Sequence, residues 1–209
     1  MHKAIATLLL IVAAVFPSCV KPADLAPGAT ISPIQLDDNS FEDWDAKTDP
    51  NIQFNGSDDV SYGKFCYDAD YVYFFVAMST LIEGVSLDGA IMNLRIDADD
   101  NTETGMSTKS LGCDWYYEGN FWCSDPWSDW YDCSSGDMVW QDGLPIEKGT
   151  VKEEGNFVFL EFALSRKAFG ITGPSLGLFF KFYTEDWDEA FAMRNHNGQT
   201  TMRFSLDEE

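Results

Sequence analysis

Three residues of this chain, Asp97, Asp99 and Asn101, place an oxygen-bearing side chain at every second position. This is the spacing of the first half of a calcium-binding loop, in which a tight turn points alternate side chains at one cation. The rest of an EF-hand is missing, since Thr102 stands where glycine is expected and Thr108 where a bidentate glutamate is expected. The sequence predicts a structural calcium site, with the alternative that these carboxylates cap backbone amides. The same two interpretations apply to a second acidic loop formed by Asp37, Asp38, Asn39, Asp43 and Asp45.

An aromatic-rich segment runs from Asp114 to Asp132, and one strand face cannot bury all of its rings. Exposed tryptophan rings stack on the apolar faces of sugars, while nearby Asp, Asn and Gln side chains bind the hydroxyl groups. Trp127 and Trp130 lie in a stretch rich in Ser, Asp and Pro that predicts a loop, so they are the leading candidates for a sugar platform. Trp122 and Trp140 are the next candidates for this platform. The alternative is a compact aromatic core.

Two further segments carry candidate ligand-binding side chains. Trp187 lies in an acidic turn after a strand and could complete the platform. Arg194 and Asn195 begin a polar loop before the last strand, where either side chain could bind a sugar oxygen.

Catalytic motifs are sparse in this sequence. There is no Gly-x-Ser-x-Gly motif or glycine-rich phosphate loop, and His196 is the only histidine after the N-terminal segment. A pair of carboxylates is sufficient for glycoside hydrolysis, so a glycan-active enzyme or an enzyme-associated domain stays an alternative. A haem domain with His196 and Met193 or Met78 as axial ligands is another alternative, although no CxxCH motif is present. A structural protein of the cell envelope is a further alternative.

The N-terminal segment has the parts of an export signal: Lys3, an apolar run over residues 4–16, and Ser18 before Cys19. Cleavage after residue 18 resembles processing of a bacterial lipoprotein, in which Cys19 is acylated. The alternative is an ordinary signal peptide that is cut before Thr30. Residues 19–30 are rich in Pro, Ala and Gly and predict a tether, which leaves one domain over residues 31–209.

Four cysteines follow Cys19, an even number in an exported chain. They permit two disulfides in three possible connectivities, which the sequence alone does not separate. We favour the pairs Cys123–Cys133 and Cys66–Cys113, because the first would close a loop around Pro126. The alternative is free buried thiols. No CxxC or histidine-rich spacing predicts zinc.

The charge balance restricts the partners. With 13 basic and 35 acidic residues, the formal net charge is -22. This charge opposes binding to nucleic acid and to anionic lipid surfaces, so we expect membrane attachment only through the N-terminal lipid. Neutral ligands and cations are compatible with this negative charge.

Most of the domain has the pattern of β-strands. The predicted strands are rich in Phe, Tyr and Val, are bounded by Gly, Asp and Asn, and cover Ile31–Leu36, Tyr62–Tyr67, Tyr71–Ser79, Ile91–Asp97, Asp114–Glu118, Met138–Gln141, Phe157–Leu164, Leu176–Tyr183 and Thr201–Leu206. Ser165 and Gly170 can cap and end a single helical turn. The sequence predicts an all-β protein: an antiparallel β-sandwich of jelly-roll or immunoglobulin-like type with one short helical turn.

Five motifs in this order resemble the family 9-like carbohydrate-binding modules and the broader DOMON-like sandwiches. They are Asp43-Trp44, the Tyr67–Tyr73 hairpin, Asp97–Gly105, Gly112–Tyr117 and Phe159–Arg166. The segment from Cys113 to Trp140 departs from the usual strand pair of the family. The resemblance implies non-catalytic glycan binding, here by a lipoprotein of the bacterial cell envelope. We expect it at the outer membrane, on the surface or periplasmic side, with other envelope glycan-handling proteins as candidate partners.

Overall fold

The computed structural model describes residues 30–31, 34–36, 38–45, 52–55, 61–108, 110–143, 146–194 and 201–206. The export signal, Cys19 and most of the tether lie outside the described residues. Within those ranges, no helix has the length and apolar character needed to cross a membrane.

The described chain consists mainly of strands. Its one helix is α1 (Glu42–Asp45), and its strands are β1 (Thr30–Ile31), β2 (Ile52–Asn55), β3 (Tyr62–Tyr67), β4 (Tyr71–Ser79), β5 (Ile91–Asp97), β6 (Met106–Thr108), β7 (Leu111–Cys113), β8 (Trp115–Asn120), β9 (Trp127–Asp132), β10 (Val139–Gln141), β11 (Ile146–Glu154), β12 (Phe157–Ser165), β13 (Ser175–Tyr183), β14 (Glu189–Arg194) and β15 (Met202–Ser205).

The strands form an antiparallel sandwich, as the sequence predicts. Hydrogen bonds connect them in the order β10-β9-β8-β5-β13-β14-β2-β3-β4-β12-β11. β15 pairs with β13, β1 runs parallel to β3, and β6 and β7 form a separate ribbon. We call β3, β4, β12 and β11 the β4 layer, and β10, β9, β8, β5 and β13 the β5 layer; β14 and β2 connect them.

The main core lies between the two layers. Alternate residues of each central strand point inward, and aromatic rings meet across the interface. The ring centroids of Phe74 and Phe180 are 6.0 Å apart, and those of Phe65 and Phe204 are 4.0 Å apart. Residues from both layers belong to this one buried cluster.

The outer face of the β4 layer is also covered. Tyr73, Phe75 and Ala77 point away from the main core, yet they are buried in a second cluster with Ile34 and Trp44 from the preceding segment. Strand β4 is therefore apolar on both faces, which explains its continuous hydrophobic sequence.

A buried hydrogen-bond network attaches this cover to the β4 layer. Trp44 Nε1 donates to Glu161 Oε2 at 2.8 Å, and the backbone amide of Thr150 donates to Glu161 Oε1 at 2.9 Å. Lys64 Nζ donates to the carbonyl of Trp44 at 3.1 Å. Glu161 is fully buried, and this burial raises the pKa of its carboxyl group. Gly149 leaves the necessary space, since a Cβ there would lie 2.5 Å from Glu161 Cγ.

Several predicted strands are confirmed. Tyr71–Ser79 and Ile91–Asp97 match to the residue. The predictions omitted β2, β6, β7, β11 and β14, and they treated Trp127–Asp132 as a loop. That segment is strand β9, and its Ser and Asp residues concealed it because they are uncommon in strands.

The predicted helical turn is a run of hydrogen-bonded turns. Ser165 Oγ accepts from the amide of Ala168 at 3.3 Å, and Gly170 ends the segment with φ +67°. The described helix, α1, lies elsewhere, and Ser40 Oγ caps it by accepting from the amide of Glu42 at 3.1 Å.

Replacing Glu161 tests the attachment of the cover. Glu161→Ala leaves the Trp44 indole N–H and the Thr150 amide without their buried acceptor, so we expect the free energy of unfolding to fall by about 2–5 kcal/mol. Glu153→Ala, an exposed position on the neighbouring strand, should leave stability unchanged. Urea unfolding of both variants measures the difference. Equal stability of the two variants would show that the network does not hold the cover.

Candidate functional site

The outer face of the β5 layer is lined by aromatic and polar side chains. Met92, Leu94, Tyr117 and Trp130 point into the core, so their neighbours along each strand point outward. The register places Arg95 beside Tyr116 on one side and Phe179 on the other. We call this surface the aromatic–polar face; it contains Asn93, Arg95, Tyr116, Glu118, Trp127, Asp129, Tyr131, Trp140, Phe179, Lys181 and Tyr183.

Three tryptophans leave large parts of their rings in solvent. The exposed fraction is 36% for Trp127, 48% for Trp187 and 56% for Trp140. The ring centroids of Trp127 and Trp187 are 6.1 Å apart, and Tyr183 lies 5.8 Å from Trp187. These three rings form an aromatic cluster at one end of the face.

Trp187 has an unusual backbone conformation. Its φ is +67°, which is rare for a bulky residue and costs conformational energy. The turn is fixed by hydrogen bonds from the Trp187 amide to the Thr184 carbonyl and from the Thr184 amide to the Asp188 carbonyl. A glycine would satisfy this backbone more easily, so the indole is retained at a cost to the fold.

A second aromatic cluster lies across the strands. Trp140 Nε1 donates to Asp129 Oδ1 at 3.2 Å, and Tyr116 and Tyr131 make an edge-to-face contact at 5.7 Å. The Arg95 guanidinium lies over the rings of Tyr116 and Phe179, at 5.4 and 5.2 Å from their centroids.

Polar groups occupy the space between the clusters. Asn93 Nδ2 donates to the Tyr116 hydroxyl at 2.5 Å, and that hydroxyl donates to Glu118 Oε1 at 3.3 Å. Burial and the neighbouring Glu118 carboxylate raise the pKa of Tyr116 to about 12, so its hydroxyl stays protonated at neutral pH. Lys181 lies 3.3 Å from Glu189 Oε2 and over the ring of Tyr183.

Two buried polar atoms of this network have no hydrogen-bond partner within the described part of the chain: Asn93 Oδ1 and Arg95 Nε. Buried polar atoms in folded proteins are normally paired with protein or water. The centre of the face therefore has unused hydrogen-bonding capacity.

Two of the predicted platform residues are in the core. Trp130 is 2% exposed and packs on Tyr117 and Phe169, with centroids 4.8 and 4.7 Å away. Trp122 is 3% exposed and donates from Nε1 to the carbonyl of Leu87 at 3.0 Å. Their assignment to an exposed platform is wrong, because strand alternation directs Trp130 to the inner face while Trp127 points outward.

Of the remaining predicted ligand-binding residues, Arg194 is the last residue of β14. The alternation of that strand puts Arg194 on the same side as Ala192, which pairs with Lys181 of the aromatic–polar face. Asn195 and His196 lie outside the described residues. Met78, considered above as a haem ligand, is fully buried in the main core.

The acidic loop after β5 brings together a different set of oxygens from the predicted one. Carboxylate oxygens of Asp97, Asp99 and Asp114 lie within 4.8 Å of one another. Asn101 instead directs its Oδ1 to the amide of Glu103. Asp97 also accepts from the amides of Asn101 and Gly112, at 2.9 and 3.0 Å. Amide capping is thus present, and the three neighbouring carboxylates have the chemistry of a site for a hard divalent cation.

In its described part, the second acidic loop leads into helix α1, and its carboxylates accept hydrogen bonds from backbone amides. Asp38 Oδ1 accepts from the amide of Ser40, and Asp43 Oδ2 accepts from the amide of Gln35. Asp37 lies outside the described residues.

The expected cysteine pairs are wrong. None of the four cysteines is in a disulfide in the structure. Cys66 packs with Trp44 in the second cluster, while Cys113, at the end of β7, lies beside Cys133, which follows β9. Cys123 lies in the turn after β8, where its thiol contacts the carbonyl of Asn120.

Sequence reasoning missed the polar centre of the face. Asn93 and Arg95 interrupt the apolar strand β5, and Lys181 interrupts the apolar strand β13. Polar residues that alternate with core residues on central strands mark an outward face, and this signal was present in the sequence.

Comparison with known proteins supports the fold. No family model matches the chain, and no curated protein matches it. Two solved structures of a family 9 carbohydrate-binding module from Caldicellulosiruptor kristjanssonii are similar to it. The chain has the fold of a family 9 carbohydrate-binding module. The predicted resemblance is therefore confirmed at the level of the fold.

The similarity extends over most of both chains. The structure in complex with glucose has a TM-score of 0.52 and 11% identity, and covers 87% of this chain and 95% of that chain. The structure in complex with cellotriose has a TM-score of 0.51 and 11% identity, with coverages of 87% and 93%.

The different burial of Trp130 and Trp127 predicts different effects on stability. Trp130→Ala should lower the free energy of unfolding by about 3–5 kcal/mol, because it leaves a cavity beside Tyr117 and Phe169. Trp127→Ala should lower it by about 1 kcal/mol or less, since much of the ring is already in solvent. Denaturant unfolding of both proteins measures this. Similar losses would contradict the register of β9.

Proposed function

We propose that this chain binds a glycan on the aromatic–polar face without acting on it chemically. The observation that carries the proposal is the grouping of exposed indole rings, Trp127, Trp187 and Trp140, around a polar centre on one face. The similar solved structures are carbohydrate-binding modules in complex with glucose and cellotriose, which supports the same class of ligand here.

The chemistry of the face suits a hydroxyl-rich ligand. Indole rings stack on the apolar faces of pyranose rings and lose little conformational entropy in doing so. Glu118, Asp129 and Glu189 provide acceptors for hydroxyl hydrogens, and Lys181 provides a donor. The whole chain has a formal net charge of -22, so uncharged sugars fit better than uronates or sulfated sugars.

The carboxylates of the face act as hydrogen-bonding groups in this proposal. Asp129 is held by the Trp140 indole, and Glu118 accepts from Tyr116. Reducing-sugar release from the bound glycan is the measurement that separates binding from hydrolysis, and we expect none.

We further propose that Cys19 carries a lipid that attaches the protein to the bacterial outer membrane, on the surface or periplasmic side. The support is the sequence before Cys19, which has the arrangement of an export signal. The intact mass of the mature chain tests this, because acylation of Cys19 and removal of residues 1–18 change it together.

Replacing Trp187 with glycine separates binding from folding. Trp187→Gly removes an exposed ring and relieves the positive φ, so we expect stability to be unchanged or raised. Affinity for the bound glycan should fall about 10- to 100-fold, as for loss of an aromatic anchor. The measurements are thermal unfolding and calorimetric titration with cellotriose and the best ligand of an oligosaccharide panel.

The matched control is Val139→Ala. Val139 is also exposed but points to the opposite side of β10 from Trp140, so its loss should not change affinity. Equal affinities of Trp187→Gly, Val139→Ala and the unaltered protein would reject the site. Failure of every glycan in the panel to bind would reject the function.

We propose that Asp97, Asp99 and Asp114 bind a structural calcium ion. Asn101 lies in the same loop as Asp99. Calcium bound by the folded chain alone should raise the melting temperature relative to chelator, by about 5–10 °C at about 100 times Kd. Asp114→Asn should remove this response, while Asp125→Asn, in an exposed turn, should keep it. An unchanged melting temperature in millimolar calcium would contradict the proposal.

A further inference from the structure

Cys113 and Cys133 lie side by side at one end of the β8–β9 hairpin. Trp115 of β8 pairs with Asp132 of β9, and the amide of Cys133 donates to the carbonyl of Asp114 at 2.7 Å. This register sets Cys133 opposite Asp114, one residue from Cys113. The two side chains contact each other, and their thiols donate to the carbonyls of Trp115 and Tyr131, at 3.1 and 3.7 Å.

The other two cysteines are far from this pair in the fold. Cys66 is buried on the outer side of the β4 layer, with Tyr73 and Phe75. Cys123 lies beyond the opposite end of β8, where its Sγ is 3.3 Å from the carbonyl of Asn120. Of the four cysteines that the structure describes, Cys113 and Cys133 are thus the pair in contact.

We infer that Cys113 and Cys133 form a disulfide when the chain folds in an oxidising compartment. The thiolate of one cysteine attacks one sulfur of a small disulfide such as oxidised glutathione. This step releases one glutathione thiol and leaves the other glutathione bonded to the protein as a mixed disulfide. The thiolate of the second cysteine then displaces the remaining glutathione thiol. The two cysteines lose two electrons and two protons in total, and the oxidant gains both to become two thiols.

The bond forms before the sheet closes and then persists. Both cysteines are fully buried in the folded chain, so an oxidant reaches them during folding and a reductant does not reach them afterwards. The disulfide closes a loop that contains the whole β8–β9 hairpin, which carries Tyr116, Glu118, Trp127 and Asp129. It therefore restricts the unfolded chain and fixes the hairpin that supplies half of the aromatic–polar face.

Mass mapping of the full chain tests the pairing. The protein is refolded from denaturant in a buffer of reduced and oxidised glutathione, unfolded again with N-ethylmaleimide, and digested without reductant. We expect one cross-linked peptide pair joining Cys113 to Cys133, with Cys66 and Cys123 alkylated. Alkylation of all four cysteines, or a cross-link that includes Cys123 or Cys66, would overturn the inference.

Thermal unfolding with matched variants provides a second test. A reductant present from the denatured state onward should lower the melting temperature of the refolded protein by about 5–10 °C. Cys113→Ala with Cys133→Ala should remove this sensitivity, and Cys123→Ala should retain it. Loss of the sensitivity in Cys123→Ala alone would contradict the assigned pair.

Discussion

A two-layer sandwich has two inner faces and two outer faces. The rest of this structure depends on which outer face is covered by other parts of the chain and which is left in solvent. The inner faces meet in one core rich in phenylalanine. The outer face of the β4 layer is closed by the segment around Trp44, which is fixed to Glu161 by a buried hydrogen bond. The outer face of the β5 layer has no such cover among the described residues, and it is there that exposed tryptophans and polar groups occur together.

This division gives tryptophan two separate tasks. On the inner side, Trp130 and Trp122 fill space and make the β8–β9 hairpin rigid. On the outer side of the same layer, Trp127 and Trp140 remain half in solvent, and Trp187 joins them from a turn with a positive φ. A rigid hairpin with buried rings below and exposed rings above is a suitable base for stacking on a flat ligand, because the rings need not be ordered on binding.

The sequence was sufficient to predict the strands that are apolar on both faces or in which apolar and polar residues strictly alternate. β4 and β5 follow from their patterns, and the order of motifs indicated the sandwich. The hairpin strand β9 could not be recognised, because Ser128 and Asp129 weaken the strand pattern. The assignment of both Trp127 and Trp130 to the platform failed for Trp130 for the same reason: two residues three positions apart in a strand point to opposite faces, and a loop gives no such rule.

Local sequence patterns also could not predict the partners of buried polar groups. Glu161 and Trp44 are separated by more than a hundred residues in the chain, and Asp114 joins Asp97 and Asp99 only through the fold. Cys113 and Cys133 likewise meet because of the register of β8 and β9. Spacing along the chain favoured Asn101 as the third calcium ligand and Cys123 as the partner of Cys133. Contact across strands instead selects Asp114 for the first role and Cys113 for the second.

The central claim, that the aromatic–polar face binds a glycan, is tested most directly by the seven tryptophan indole N–H signals in a nitrogen–proton correlation spectrum. On titration with a bound oligosaccharide, the signals of Trp127, Trp187 and Trp140 should shift progressively. Those of Trp44, Trp115, Trp122 and Trp130 should stay in place. Binding that shifts none of the three exposed indoles, or that shifts the buried ones instead, would contradict the account.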